Sequence, residues 1–237
     1  MRRVILAINV IVVLLSIQVE AQRRAPNLPN YDIMRRFHFG FNLGINYATF
    51  TIKPQSNLNP FDSLMVVDPS GMAGFDIGIL ANMHLGNYFD LRFIPSISLV
   101  DRKVNYTIRY SGNTLNTITQ GIESTNLNFP LLVKFKSSRM GNVRFYVVSG
   151  GQYTVDLASR SKKRNSGENI YLKLAASDLQ AQVGVGLDFY LEFFKFAIEA
   201  KMSYGTISLL KNENNIWTNS VQSLRSKTFH ISFLFEG

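Results

Sequence analysis

From Phe37 the chain alternates, with Phe37, Phe39, Phe41, Leu43 and Ile45 on one face and His38, Gly40, Asn42, Gly44 and Asn46 on the other. Successive strand side chains point to opposite faces, so this period of two predicts a strand with one large apolar face and one small or polar face. The pattern returns at Phe75, Ile77, Ile79, Ala81, Met83 and Leu85 against Asp76, Gly78, Leu80, Asn82 and His84. A third strand sets Phe89, Leu91, Phe93, Ile97 and Leu99 against Asp90 and Arg92; a fourth sets Leu127, Phe129, Leu131, Val133 and Phe135 against Asn126, Asn128, Lys134 and Lys136. In the fifth, Val143, Phe145 and Val147 turn away from Arg144 and Tyr146, and the strand continues through Gly150, Gly151 and Tyr153 toward Leu157. The sixth opposes Leu179, Ala181, Val183, Val185, Leu187 and Phe189 to Asp178, Gln180, Gln182, Gly184, Gly186 and Asp188. The seventh opposes Phe196, Ile198, Ala200, Met202 and Tyr204 to Glu199, Lys201 and Ser203, and the eighth carries Phe229, Ile231, Phe233 and Phe235.

The connections alternate in length. Short turns fall at Gly86-Asn87, Ser137 to Asn142 and Glu192 to Lys195; long polar connections fall at Ile52 to Ser70, Arg102 to Ser124, Ser159 to Lys173 and Thr206 to Lys227. Each strand reaches the roughly 9 to 11 residues that a tilted strand needs to cross a bilayer. The expectation is an all-β fold, an eight-stranded antiparallel up-and-down transmembrane β-barrel. Its short turns and both termini would be periplasmic, and its long loops would lie on the cell surface.

Alternation alone leaves open which face points inward, and a soluble lipocalin-like barrel or sandwich has the same period. Three features favour the membrane. The polar face carries Asp76, Arg92, Lys134, Arg144, Asp188, Glu199 and Lys201 among many glycines, a set that fits a narrow lumen filled by ion pairs. The apolar face carries more Phe bulk than an eight-stranded interior holds. The long connections all fall at one end.

The ends divide the chain further. Arg2 and Arg3, the apolar run Val4 to Ile17 and the small residues Val19 and Ala21 read as a cleavable secretory signal over residues 1–21. A retained anchor is the alternative, but the run is interrupted by Asn9 and short for a spanning helix. Residues 22–36 read as an extended, basic, proline-punctuated periplasmic arm, and residues 37–237 as the barrel. The formal net charge is +9, and it falls by one when Arg2, Arg3 and Glu20 leave together. An exported basic chain meets anionic lipid before nucleic acid, so the expected partners are outer-membrane lipid and lipopolysaccharide, and no nucleic acid. There is no cysteine, which removes disulfides, thiol chemistry and an N-terminal lipid anchor.

Candidate chemistry is sparse. Barrel enzymes need histidine with carboxylate or serine at the loop end, and the long connections contain no histidine. His38, His84 and His230 fall on polar strand faces; His38 and His84 sit near one rim of neighbouring strands, but no third ligand is evident for a metal. Asp76, Asp188 and Glu199 share a face with Arg92, Lys134, Arg144 and Lys201, which favours a structural ion-pair network over acid-base catalysis. Arg160-Ser161-Lys162-Lys163-Arg164 suits lipopolysaccharide phosphates or an acidic partner, with a solvated loop as the alternative. Asp62-Ser63-Leu64 matches a short O-glycosylation pattern that also recurs by chance, and Tyr88 and Trp217 are candidate interface aromatics. No catalytic, cofactor-binding or metal residue is assigned, no cofactor or small-molecule substrate is expected, and the chain is read as not an enzyme.

The arm Arg23-Arg24-Ala25-Pro26-Asn27-Leu28-Pro29-Asn30-Tyr31-Asp32, followed by Arg35-Arg36-Phe37-His38-Phe39-Gly40-Phe41, resembles the start of the PorT family. These are small outer-membrane barrels required by the type IX secretion and gliding machinery of Bacteroidota. Phe129-Pro130-Leu131-Leu132-Val133-Lys134-Phe135 is similar to a strand of the wider barrel superfamily. One departure is the ending Phe233-Leu234-Phe235-Glu236-Gly237, where many outer-membrane barrels finish on an aromatic residue. The resemblance implies a component or assembly factor of type IX secretion, with other secretion proteins as partners. The alternative is a stand-alone surface barrel for adhesion or envelope integrity; a passive pore conflicts with a filled eight-stranded lumen.

Overall fold

The computed structural model describes residues 36–54, 64–109, 115–157, 175–210 and 221–237. The signal, the arm up to residue 35, Asp62 and Ser63, the run 160–164 and Trp217 lie outside them. Among the described residues nine antiparallel strands are formed: β1 (Phe37–Pro54), β2 (Leu64–His84), β3 (Phe89–Phe93), β4 (Ser96–Arg109), β5 (Leu115–Lys136), β6 (Val143–Asp156), β7 (Ser177–Tyr190), β8 (Lys195–Gly205) and β9 (Val221–Glu236).

Apart from β3 and β4, which do not pair with each other, consecutive strands are paired, and β1 pairs both with β2 (Leu43↔Ile77) and with β9 (Leu43↔Phe233), so the sheet closes on itself. Strands β3 and β4 both lie between β2 and β5, so they are two halves of one wall position and the ring has eight. The expected third strand is thus present but broken at Ile94-Pro95. Pro95 has no N–H to give to the ladder. Its carbonyl still accepts from Ile79 N–H at 3.0 Å, and Ile94 N–H reaches the Pro130 carbonyl at 3.4 Å.

The structure decides which face points inward. Phe39 is 62% exposed and Ile79 65%, whereas their strand neighbours His38 and Leu80 are 2% and 0% exposed. The apolar face is therefore the outer wall, as a barrel bathed in lipid requires and a soluble barrel with an apolar cavity does not. On that wall a strip of phenylalanines crosses four strands. Phe41 stacks on Phe235 with centroids 4.7 Å apart, Phe235 meets Phe196 at 5.2 Å, and Phe196 stacks on Phe189 at 6.1 Å.

The short turns fall where the pattern predicts them. In the β5–β6 turn Gly141 has φ +61°, the left-handed region that glycine enters without a Cβ penalty. Much of the expected connection 102–124, and about half of 52–70, is strand, while 159–173 lies outside the described residues. β4 runs on to Arg109 and β5 begins at Leu115, with paired residues from Val100↔Ser124 to Arg109↔Leu115. β2 adds a third strand to this extension, from Gly71↔Arg102 to Leu64↔Ile108. Strands outside the bilayer have water on both faces and need no apolar alternation, so hydropathy reads them as loops. Their Thr107, Ile108, Thr117, Ile118 and Thr119 are nonetheless good strand formers.

Candidate functional site

Among the described residues most of the charged side chains that meet one another do so inside the ring, and alternation puts them there. Every second residue of each strand points inward, and the register brings inward residues of neighbouring strands to the same level. Nearest the short-turn end, Lys195 of β8 faces Glu236 of β9 and donates to its Oε1 at 2.6 Å. At a similar level Lys136 Nζ lies 2.7 Å from Asp90 Oδ1 and 3.1 Å from His84 Nδ1. The chain-end departure noted above thus has a structural use: Glu236 closes an ion pair in the lumen, and Phe235 joins the outer aromatic strip.

One level deeper, Tyr146 is fully buried at the centre of a charge cluster. Its hydroxyl donates to Glu199 Oε2 at 2.8 Å, where Arg92 Nη1 also donates at 2.7 Å, and Lys201 Nζ reaches Glu199 Oε1 at 2.8 Å. The Lys134 ammonium sits 3.8 Å over the Tyr146 ring and donates to Asp188 at 2.6 Å. Gly186, directly opposite on β7, makes room, since a Cβ there would collide with that ring. An apolar knot of Leu80, Ile94, Leu132, Val148, Ala197 and Leu234 packs with Tyr146.

Above this lies a neutral amide layer. Gln182 Nε2 donates to Gln152 Oε1 at 2.5 Å and to Ser203 Oγ at 2.7 Å, and Gln152 Nε2 donates to Asn128 Oδ1 at 3.1 Å. At the long-hairpin end Ser226 donates to Asp178, and the Arg102 guanidinium lies 4.7 Å over the Phe50 ring.

The ion-pair network expected from sequence is therefore formed, and the structure supplies its pairings. Asp188 goes to Lys134, while Arg144, beside Asp188 in register, lies near the Tyr190 ring at 5.8 Å. Asp76 pairs with His230 at 2.8 Å. His38 is buried opposite Asn82, one residue pair from the rim that holds His84. Tyr88 is 52% exposed in the β2–β3 turn, at the end of the wall. Among the described residues no three metal-ligating side chains stand together. Sequence reasoning missed the apolar knot, whose signal is a set of apolar doublets that break alternation: Ile79-Leu80, Phe93-Ile94, Leu131-Leu132, Val147-Val148 and Phe233-Leu234.

One chain of contacts has the atoms of a hydrolytic triad: Ser203 Oγ lies 3.1 Å from His230 Nε2, and His230 Nδ1 lies 2.8 Å from Asp76 Oδ2. It lacks access. Ser203 is 0% exposed and already receives the Gln182 N–H, and the adjoining cavity measures about 20 Å³, room for about one water. Among the described residues buried side chains fill the lumen at each of these levels. Reconstituted in planar bilayers, the barrel is expected to give no stable single-channel steps, and reproducible steps would show that the lumen opens.

Three solved barrels resemble this fold. OprG of Pseudomonas aeruginosa is 13% identical over 83% of this chain and 93% of its own, with a TM-score of 0.39. Neisserial surface protein A is 11% identical over 83% and 95%, with a TM-score of 0.40. Ail of Yersinia pestis, solved with the heparin analogue sucrose octasulfate, is 11% identical over 86% and 100%, with a TM-score of 0.37. Likeness at this level carries no argument about function. None of the curated proteins matches the sequence. The family described as outer membrane protein beta-barrel domain matches residues 20–211, most of the chain. With a closed ring of antiparallel strands, an apolar outer wall and a polar filled lumen, the chain belongs to this family of outer-membrane β-barrels.

Proposed function

We propose that this barrel is a component or assembly factor of the type IX secretion system, supporting export of cargo proteins to the cell surface without chemistry of its own. The reading is carried by the basic segment Arg35-Arg36 running directly into Phe37-His38-Phe39-Gly40-Phe41, the part of the sequence that most resembles PorT. The structure supports it in two ways. The lumen is filled, so activity must reside in surfaces offered to other proteins. The Arg36 carbonyl accepts from His84 N–H at 2.7 Å, which ties the root of the arm to the rim of β2. Short turns of such barrels are periplasmic, and Arg36 lies at the short-turn end, so on this reading the arm is joined to the barrel at the periplasmic rim, where cargo waits for export.

The test is deletion of residues 22–36 behind an intact signal, with barrel assembly checked by the mobility difference of heated and unheated protein on a denaturing gel. An assembled barrel that leaves cargo bearing the type IX C-terminal signal in the periplasm supports the reading. Normal export refutes it. The three-stranded extension of β2, β4 and β5 favours a second reading, a stand-alone surface barrel for adhesion or envelope integrity. Under that reading, loss of the arm changes little and loss of the extension removes the activity.

A further inference from the structure

Cations on the outer wall of a membrane barrel face lipid rather than lumen, and where that wall reaches the headgroups they meet lipid anions. Three such cations stand together at the long-hairpin end of β1 and β9. Lys53, Arg225 and Lys227 all share the outward phase of Leu43, Ile45, Phe229 and Ile231, and the register sets Thr51↔Arg225 and Thr49↔Lys227, with Lys53 one pair beyond. They begin where the apolar wall ends, immediately past Tyr47↔Phe229. Lys53, Arg225, Thr51, Tyr204, Gln222 and Ser223 line an open cleft of about 510 Å³.

Among the described residues, β1, β8 and β9 turn no carboxylate toward them. The acidic residues of β1, β8 and β9 are Glu199 and Glu236, both committed to lumen cations. Among the described residues Arg225 Nε is buried without a hydrogen-bond partner, and the Lys227 ammonium lies 5.2 Å from the Phe229 ring. The basic character is local. Outward residues at the same end of β6 and β7 are Tyr153, Val155, Leu179 and Ala181, all uncharged.

The geometry points to a binding site for a phosphorylated glycolipid of the outer leaflet. Its phosphate would sit between Lys53 and the guanidinium fork of Arg225. Its sugar hydroxyls would meet Thr51, Tyr204 and Ser223, and its acyl chains would lie on the wall of Tyr47, Ile45, Phe229 and Ile231. The site rests on the orientation used above, with short turns in the periplasm, and gives the barrel a fixed lipid on its β1–β9 seam.

Native mass spectrometry of the whole refolded barrel tests it with three probes: bisphosphorylated lipid A, the same lipid stripped of phosphate, and inorganic phosphate. The barrel is expected to retain the bisphosphorylated lipid about tenfold better or more than the stripped one, the size of one charge-assisted hydrogen bond. Lys53→Ser with Arg225→Ser should erase that preference, while Lys162→Ser with Lys163→Ser should leave it. Equal retention by the first pair, loss through the second pair, or displacement of the lipid by millimolar inorganic phosphate each overturns the site. Orientation is read separately, from single cysteines placed by Ile207→Cys and Ser138→Cys. Labelling of intact cells by an impermeant maleimide at Ile207→Cys supports the outer leaflet. Labelling at Ser138→Cys instead puts the cleft in the other leaflet and overturns the proposal whatever the binding data show.

Discussion

Glu199→Ala is expected to lower the stability of the folded barrel by about 3 to 5 kcal/mol, read as a drop in the urea midpoint of protein refolded into lipid. Glu199 is the common partner of the Arg92 guanidinium, the Lys201 ammonium and the Tyr146 hydroxyl, all within 2.8 Å of its two oxygens. Removing it leaves the buried Arg92 and Lys201 cations without their common carboxylate. The loss should belong to the broken pairing rather than to the charge as such. Arg92→Met and Lys201→Met combined with Glu199→Met, which removes all three charges and keeps apolar volume, is expected to recover a large part of it. Tyr146→Phe, which deletes one donor, should cost about 1 kcal/mol. A Glu199→Ala barrel as stable as the parent would mean that the lumen is hydrated and the pairing idle.

The second large effect lies on the other face of the same wall. Leu43 is 42% exposed at the middle of the apolar run of β1, between Ile77 on β2 and Phe233 on β9. Leu43→Arg is expected to cost about 2 to 4 kcal/mol in a bilayer, since a charge at mid-depth on the lipid face has no aqueous escape. The same substitution at Thr51, four pairs further up the outward face and level with Arg225, should cost about 1 kcal/mol or less, because that level lies at the headgroups. A flat response along the outward face, measured by the same urea titration, would contradict the membrane-spanning level assigned to Leu43.

These two experiments probe what alternation could and could not disclose. Phe37 through Asn46 reads as a two-faced strand by inspection, and so do the stretches at Phe75 and Leu179, because a lipid wall and a packed lumen impose opposite chemistry on adjacent residues. The carboxylates and cations of the lumen were legible as a group, since they share one face. Their pairing was not. Whether Asp188 meets Lys134 or Arg144 depends on side-chain reach across strands, and sequence spacing does not contain it. The knot around Tyr146 was hidden for a different reason. Leu80, Leu132, Val148 and Leu234 each follow an apolar outward residue, so they look like a strand losing its phase when they are filling the lumen. Glu236 looked like an imperfect ending until Lys195 was found opposite it. The surface strands were invisible to hydropathy because water on both sides removes the contrast on which the reading depends.

The ribbon that β4 and β5 build past Leu99 has a mechanical consequence. A two-stranded ribbon in water is a loose tether, but β2 runs alongside from Gly71 to Leu64, and three strands make a stiff blade. At about 3.3 Å per residue, the pairs from Val100↔Ser124 to Arg109↔Leu115 carry its far end about 30 Å along the strands from the level of Leu99. Whatever approaches this barrel from the long-hairpin side therefore meets a rigid probe well before it reaches the wall. A push on that probe is delivered as torque to β2, β4 and β5, not dissipated in slack chain.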